Sequence, residues 1–292
     1  MEAPQEVLRR AQRRRKRCCI STAVAAATVV LLAIVIPCAL LLSDIQPGPT
    51  QPAAILLPLY IYPSRNAWEP LFNAVSTNQE VNFTVIVNPD SGPGQSAGPG
   101  NDYVSAISRL TAAPNVQTVG YVRTGYGTRD IDTVLRDVDI YSRWSQLANG
   151  LAVSGIFFDE APHDYSQQKQ QYMATANQAV KESTGIREPR LIIHNPGTIP
   201  DATLDVDSTD VTVVFENSFQ EFERKKEALR ALSGDRPDYS VMVHSVPTGE
   251  SIGKLLRDMS REAKYMFLTT ADEGYYDHFS SSWATFVDLM RS

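Results

Sequence analysis

From residue 55 onward the chain repeats one pattern: a short run rich in β-branched and aromatic residues, a polar or Gly/Pro break, and then a helical stretch. Several runs are almost continuously apolar, as strands of a parallel sheet covered on both faces should be. The pattern predicts strands at residues 55–62, 83–88, 116–123, 153–160, 190–195, 211–217, 239–244 and 264–270. Helices are predicted at residues 129–149, 168–184, 219–232, 248–262 and 280–291, and a helix between the fifth and sixth strands is doubtful.

Eight alternating units in roughly 240 residues predict an α/β fold, a (β/α)8 TIM barrel, which typically takes about 250 residues. The main rival is a doubly wound open sheet. Such a sheet is expected to carry a glycine-rich turn after its first strand. Residues 60–65 read Tyr-Ile-Tyr-Pro-Ser-Arg and contain no glycine, so the barrel is favoured.

The N-terminal part of the chain predicts a single transmembrane helix. Residues 18–43 are 26 uncharged, mostly apolar residues, more than the roughly 20 needed to span a bilayer. Seven Arg and Lys residues lie between 9 and 17, and Asp44 follows the apolar run. The positive-inside rule then leaves the N-terminus in the cytoplasm. A cleaved signal peptide is the alternative, but its apolar region is typically only about 7–15 residues long.

These features divide the chain into four predicted segments. Residues 1–17 form a basic cytoplasmic tail, residues 18–43 a transmembrane signal-anchor, residues 44–54 a linker, and residues 55–292 the (β/α)8 domain. We therefore expect a single-pass type II membrane protein whose barrel is extracellular or lumenal.

Charge and cysteine content exclude several classes of function for the barrel. The net charge of −6 sums +5 for residues 1–43 and −11 for residues 44–292, so the folded part would repel nucleic acid. All three cysteines lie in residues 1–43. The barrel therefore has no disulfide, no cysteine-based zinc site and no thiol nucleophile.

The ends of the predicted strands supply the candidate site residues, because barrel enzymes carry their active sites at the C-terminal ends of the strands. Carboxylates combined with aromatic and amide side chains are typical of sugar chemistry, in which two carboxyl groups share the acid, base and nucleophile roles. The candidate catalytic acids are Asp159, Glu160 and Glu216. The candidate substrate-binding residues are Tyr60, Tyr62, Asn88, Tyr121, Tyr126, His194, Asn195 and Tyr275.

Two apolar runs that end in acids carry most of this prediction. Asp159 and Glu160 follow a buried strand, and as neighbours on it they should point to opposite sides and have different roles. Glu216 ends the sixth strand, where a buried acid is costly unless it is functional or paired. Burial and repulsion from Asp159 would raise the pKa of Glu216, as a general acid requires.

Other interpretations remain open for these residues. The acids could cap helices or pair with arginines, His194 could satisfy backbone groups, and Tyr275 could form a wall between loop and barrel. Asp159, Glu160, Glu216, His194 and His244 could chelate a divalent ion, although no H-x-H or H-E-x-x-H pattern is present. A Ser-His-Asp hydrolase is disfavoured because no G-x-S-x-G elbow occurs. We expect neither a metal nor a cofactor.

Together, several motifs resemble the spherulin-4, or spherulation-specific, family of fungi and slime moulds. They are Leu57-Pro58-Leu59-Tyr60-Ile61-Tyr62-Pro63, Val85-Ile86-Val87-Asn88-Pro89 with Ser91-Gly92-Pro93-Gly94, Gly120-Tyr121-Val122-Arg123-Thr124, and Phe157-Phe158-Asp159-Glu160. The family includes glycoside hydrolase family 135, whose members are (β/α)8 enzymes. They act on α-1,4-linked N-acetylgalactosamine or galactosamine in galactosaminogalactan, an adhesive fungal polysaccharide.

The resemblance implies a role for each acid and a substrate for the site. Asp159 would be the nucleophile, Glu160 a further required acid, and Glu216 the acid/base of an endo-acting, retaining hydrolase. The net charge of −11 would suit a cationic, deacetylated polymer, whereas the family points to neutral N-acetylated stretches. The alternative is a non-catalytic cell-wall or spore protein that binds polysaccharide in the same cleft.

Overall fold

The structure, a computed structural model, describes residues 52–204, 206–232 and 234–291. Eight parallel strands close into a barrel in which each strand pairs with its neighbours in sequence and β8 returns to β1. The strands are β1 (Ala54–Leu59), β2 (Asn82–Val87), β3 (Val116–Arg123), β4 (Gly155–Asp159), β5 (Leu191–Asn195), β6 (Val211–Ser218), β7 (Tyr239–His244) and β8 (Tyr265–Leu268). The predicted α/β barrel is confirmed.

Helices follow seven of the eight strands. They are α1 (Glu69–Thr77), α2 (Asn101–Thr111), α3 (Ile131–Arg143), α4 (Gln167–Glu182), α5 (Phe219–Arg230), α6 (Ile252–Glu262) and α7 (Trp283–Leu289), with short 3-10 turns at Trp144–Gln146 and Arg236–Asp238. In the described residues between β5 and β6, 196–204 and 206–210, there is no α-helix, as the short connection suggested. Helices α1 and α2 lie outside the helical ranges predicted from the sequence.

Some element boundaries differ from the predictions for local reasons. The first strand stops at Leu59 rather than at residue 62, because the next residue leaves the β1–β2 ladder and the Tyr60 amide donates to the Tyr276 carbonyl at 3.3 Å. Helix α3 begins at Ile131, where the side chain of Asp130 accepts a hydrogen bond from the Thr133 amide at 3.0 Å. That bond satisfies one of the free N–H groups at the helix start.

Alternation along the strands separates the barrel interior from the helix layer. The ring of Phe157 lies near Tyr121, whereas the next residue, Phe158, packs edge-on against His194. On β3, Gly120 faces the ring of Tyr141 on α3, and a Cβ atom there would lie 2.7 Å from that ring. Glycine therefore allows this helix to approach the barrel closely.

The register brings the strand ends to one rim. Arg123 pairs with Asp159, and Asp159 pairs with Asn195, across three consecutive strands. In β6 the register shifts between Val213 and Phe215. An irregularity of this kind changes the side toward which the following residues point. Glu216 comes directly after Phe215, where the regular pairing resumes.

The N-terminal predictions concern residues that come before the described part of the chain. The tail (1–17), the signal-anchor (18–43) and residues 44–51 of the linker (44–54) lie outside the described residues. Within the part of the chain that is described, no helix combines the length and the apolar character needed to cross a bilayer.

Gly155 at the start of β4 provides a test of the register. A Cβ at this position would overlap the carbonyl oxygen of Leu191 on β5, and strand backbone cannot move away without breaking the β4–β5 ladder. We expect Gly155→Ala to lower the free energy of unfolding by about 3 kcal/mol or more, in the range of severe overpacking. The matched control is Gly249→Ala, where no atom lies within 4 Å of the added carbon. Equal thermal midpoints for the two variants would contradict this register.

Candidate active site

At the mouth of the barrel, the Asp159 carboxylate ends β4 and has two neutral hydrogen-bond donors. The Tyr121 hydroxyl, from β3, donates to Oδ2 at 2.7 Å. The side-chain nitrogen of Asn195, from β5, donates to Oδ1 at 2.7 Å. Tyr121 and Asn195 are buried while Asp159 keeps some exposure, so this carboxylate is fixed in direction but open to the cleft.

The Glu216 carboxylate lies on the other side of the same amide. Asn195 Nδ2 donates to Glu216 Oε2 at 2.5 Å as well as to Asp159. The Tyr276 hydroxyl, from the loop between β8 and α7, donates to Oε1 at 2.5 Å. One nitrogen thus joins the two acids. Five parts of the barrel supply the cluster: β3, β4, β5, β6 and the loop after β8.

The environment raises the pKa of both carboxyl groups. Burial raises the pKa of Asp159, and the hydrogen bonds from Tyr121 and Asn195 oppose that rise. Burial also raises the pKa of Glu216, where the Tyr276 hydrogen bond opposes the rise and the negative charge of Asp159 adds to it. The direction predicted for the pKa of Glu216 is therefore confirmed.

An aromatic floor supports the two carboxylates. The ring of Tyr60 lies edge-on to Tyr121, with centroids 5.6 Å apart, and edge-on to Tyr276, with centroids 5.4 Å apart. Edge-to-face contacts of this kind are specific in geometry. The two tyrosines that hold the acids are therefore held by a third tyrosine between them.

Glu160 directly follows β4, and its side chain pairs with Arg123. Its carboxylate accepts from Arg123 Nε at 2.7 Å, and its φ of +49° turns the chain sharply after β4. The Glu160 carbonyl accepts from the Tyr126 amide at 2.5 Å and from the Thr124 hydroxyl at 2.7 Å. Glu160 therefore joins the ends of β3 and β4 beside the acid pair.

Three predicted binding residues lie on loops at the rim. The Tyr62 ring is exposed, donates its hydroxyl to Asp102 at 2.9 Å and lies edge-on to Tyr103. Asn88 accepts from the Gly92 amide at 2.8 Å and so closes the turn after β2.

Tyr126 is also exposed and lies edge-on to His163 with ring centroids 6.3 Å apart. Its φ of +57° places it in the left-handed region. Tyr62 and Tyr126 are thus available as outer surfaces of a cleft rather than as partners of the carboxylates.

The structure corrects the placement of His194. This side chain is buried on the outer side of β5, with Nε2 at 2.8 Å from Asn177 Oδ1 of α4. Burial lowers its pKa to about 3. The reason is the alternation of strand side chains: Asn195 faces the cleft, so His194 must face the helices. The prediction that His194 contacts substrate is wrong, and it packs in the core instead.

Tyr275 takes part in a stack at the β7–β8 side of the cleft. Its ring lies parallel to that of His244, with centroids 4.1 Å apart, and edge-on to Tyr276 at 4.7 Å. Among the described residues, no group of three or more His, Cys, Asp or Glu side chains is placed to hold a metal ion.

The sequence predicts Tyr275 as a binding residue, but in the structure its neighbour Tyr276 contacts the Glu216 carboxylate. Both tyrosines follow the last strand in a loop, where strict alternation does not apply and no local pattern distinguishes them. The pair itself, after the final strand, was the available signal.

Comparison with known proteins gives consistent matches. The model of a family described as spherulation-specific family 4 matches residues 54–290. Spherulin-4 of Physarum polycephalum is 33% identical over 211 residues, which cover 70% of this chain and 59% of that protein. The match therefore spans less than two thirds of that relative's length.

A solved structure agrees over the barrel. Sph3 of Aspergillus clavatus, crystallised in complex with GalNAc, aligns with a TM-score of 0.80 at 36% identity. The alignment covers 84% of this chain and all of that one.

The raised pKa of Glu216 predicts how stability changes with pH. A carboxyl group that binds its proton more tightly when folded favours the folded state at low pH, and this contribution is lost as pH rises above about 4.3, the unfolded value. Glu216→Gln removes the titration. We expect its free energy of unfolding, relative to wild type, to increase as the pH rises above about 4.3 and to level off once the pH passes the raised pKa of the folded state.

Glu69→Gln is the matched control, because the hydrogen bond from Arg109 lowers the pKa of Glu69. Its stability relative to wild type should fall as the pH rises toward about 4.3, and should stay level above that value. Denaturant unfolding at several pH values measures both trends. Parallel trends in the two variants would show that Glu216 is not desolvated.

Proposed function

The chain belongs to the spherulation-specific family 4, and on that premise we propose that it is a glycoside hydrolase acting on a galactosamine-containing polysaccharide. The observation that carries the proposal is the single Asn195 nitrogen placed between Asp159 and Glu216. Hydrolysis of a glycosidic bond requires two carboxyl groups with different roles on either side of one bond. This site holds two acids in unequal environments.

In the proposed reaction Asp159 attacks the anomeric carbon and Glu216 donates its proton to the departing glycosidic oxygen. The resulting glycosyl ester on Asp159 is then broken by water, whose proton goes to Glu216. The bonds to Asp159 support an ionised nucleophile, whereas burial and the charge of Asp159 support a protonated Glu216. Glu160 would have a positioning role, because its side chain binds Arg123 and its carbonyl accepts from the Tyr126 amide at the end of β4.

The short separation of the acids supports a retaining mechanism. Asn195 Nδ2 lies 2.7 Å from one carboxylate oxygen and 2.5 Å from the other, so those oxygens are no more than about 5 Å apart. Retaining glycosidases hold their carboxyl groups about 5–5.5 Å apart, and inverting ones about 6.5–9.5 Å apart to admit a water.

For the substrate we propose α-1,4-linked N-acetylgalactosamine or galactosamine, as in galactosaminogalactan, cleaved within the chain. The similar Sph3 protein was crystallised with GalNAc, which supports an amino sugar at this site. The exposed rings of Tyr62 and Tyr126 on separate rim loops support contacts with sugars beyond the cleaved bond, because aromatic faces suit the apolar faces of sugar rings. Such contacts are what an endo-acting enzyme needs.

We further propose that residues 18–43 anchor the enzyme as a type II membrane protein, with the barrel outside the cell or in the lumen. The basic flank and the uncharged apolar run support this topology. An adhesive polysaccharide substrate is itself extracellular, which agrees with that placement.

Removal of either acid should abolish hydrolysis. We expect Asp159→Asn and Glu216→Gln each to lower kcat for galactosaminogalactan by about a thousandfold or more, since each acid acts directly in bond breaking. Oligosaccharides released from the polymer, measured by mass spectrometry, report both cleavage and acetylation of the products. The matched control is Asp164→Asn, an exposed acid on the same β4–α4 loop that pairs with Lys169. Wild-type turnover in either active-site variant would refute the assigned role.

The same assay separates this function from polysaccharide binding alone. A binding protein would pull down with the polymer and release no oligosaccharide at any enzyme concentration. Undiminished turnover in a chelator would exclude most versions of a metal-dependent hydrolase.

The stereochemistry of the product tests the retaining mechanism. We expect the first product of an α-linked oligosaccharide to be the α-anomer, because two displacements at the anomeric carbon restore its configuration. Proton NMR spectra recorded before mutarotation distinguish the anomers. A β-anomer as first product would indicate inversion and would remove the nucleophilic role from Asp159.

A further inference from the structure

Two tyrosines from different parts of the chain each hold one of the two carboxylates. Tyr121 of β3 donates to Asp159, and Tyr276 of the β8–α7 loop donates to Glu216. We propose that they are positioning residues with separate tasks: Tyr121 serves the attacking carboxylate and Tyr276 serves the proton-transferring one. The assignment of an attacking and a proton-transferring carboxylate rests on the proposed hydrolase function.

The geometry keeps the two hydroxyls separate. The ring of Tyr60 lies between them and contacts each edge-on, at centroid distances of 5.6 and 5.4 Å. Asn195, by contrast, donates to both acids through one nitrogen. The amide therefore acts on the pair, whereas each phenol acts on one member.

The groups that face Glu216 come from four parts of the barrel. They are Tyr276 after β8, Asn195 of β5, Asp159 of β4 and Tyr60 after β1. Only Asp159 among these four carries a charge at neutral pH, and that charge opposes ionisation of Glu216. A hydrogen bond to the ionised form favours it, so loss of the Tyr276 hydroxyl should raise the pKa of Glu216.

A different set faces Asp159. Tyr121, Asn195 and the backbone of Glu160 favour its ionised form, while the negative charge of Glu160 opposes it. That charge is paired with Arg123 at 2.7 Å, and Tyr60 lies near both acids. Loss of the Tyr121 hydroxyl should therefore raise the pKa of Asp159 and leave the Tyr276 bond to Glu216 in place.

The two losses should affect opposite limbs of the pH profile. Cleavage needs Asp159 ionised and Glu216 protonated, so kcat/KM falls at low pH when the first gains a proton and at high pH when the second loses one. We expect Tyr121→Phe to move the acid limb, and Tyr276→Phe the alkaline limb, upward by about one pH unit, the scale of a hydrogen bond to a charged group. Phenylalanine retains the ring and its contact with Tyr60.

Tyr141→Phe is the matched control. It removes a buried hydroxyl that donates to the Val87 carbonyl at 3.0 Å in the helix layer. We expect a lower thermal midpoint and no movement of either limb. A shift in this variant as large as in the other two would show that the profiles report stability.

The full-length protein in detergent, with its carboxyl carbons labelled, also permits a test that needs no turnover. Carboxyl ¹³C NMR titration should show the pKa of Glu216 rising only in Tyr276→Phe and that of Asp159 rising only in Tyr121→Phe. A rise of both pKa values in each variant, or of neither, would overturn the proposal. If wild type cleaves no polymer, the hydrolase function fails, and the titrations still decide whether each tyrosine serves one acid.

Discussion

The arrangement of the active-site cleft depends on one buried side-chain amide. Asn195 donates from a single nitrogen to Asp159 and Glu216, and its oxygen accepts from the Gly197 amide at 3.0 Å. Because that oxygen already accepts a hydrogen bond, a 180° flip of the Asn195 side-chain amide would break all three hydrogen bonds. Both carboxylates are therefore placed by one residue, itself fixed by the turn that follows β5.

The fold and the acid pair could be predicted from the sequence for two reasons. Buried parallel strands appear in the sequence as apolar runs, and the C-terminal ends of those strands lie at one rim of the barrel. Tyr121, Asp159, Asn195 and Glu216 all follow from that logic, and the structure brings them together. His194 did not follow, because two adjacent polar residues at a strand end do not reveal which one faces the cleft. Only the register with β4 and β6 decides that question.

Two features of the site could not be predicted from the local sequence pattern. The register shift in β6 between Val213 and Phe215 lies within an apolar run that looks regular, although it affects the direction of Glu216. The contact of Tyr276 with Glu216 spans 60 residues and is made by a loop. Both depend on how distant parts of the barrel meet, which local patterns of hydrophobicity do not encode.

The absence of a helix from the described residues between β5 and β6, 196–204 and 206–210, has an evolutionary consequence. Elsewhere a helix must pack on the barrel, so insertions there disturb the outer layer. Here the connection starts beside Asn195, and its Gly197 carbonyl accepts from the Glu216 amide at 3.0 Å. Beyond that anchor, this segment could become longer or shorter without repacking a helix. It is therefore the part of this rim where a change of loop length would disturb the outer helix layer least.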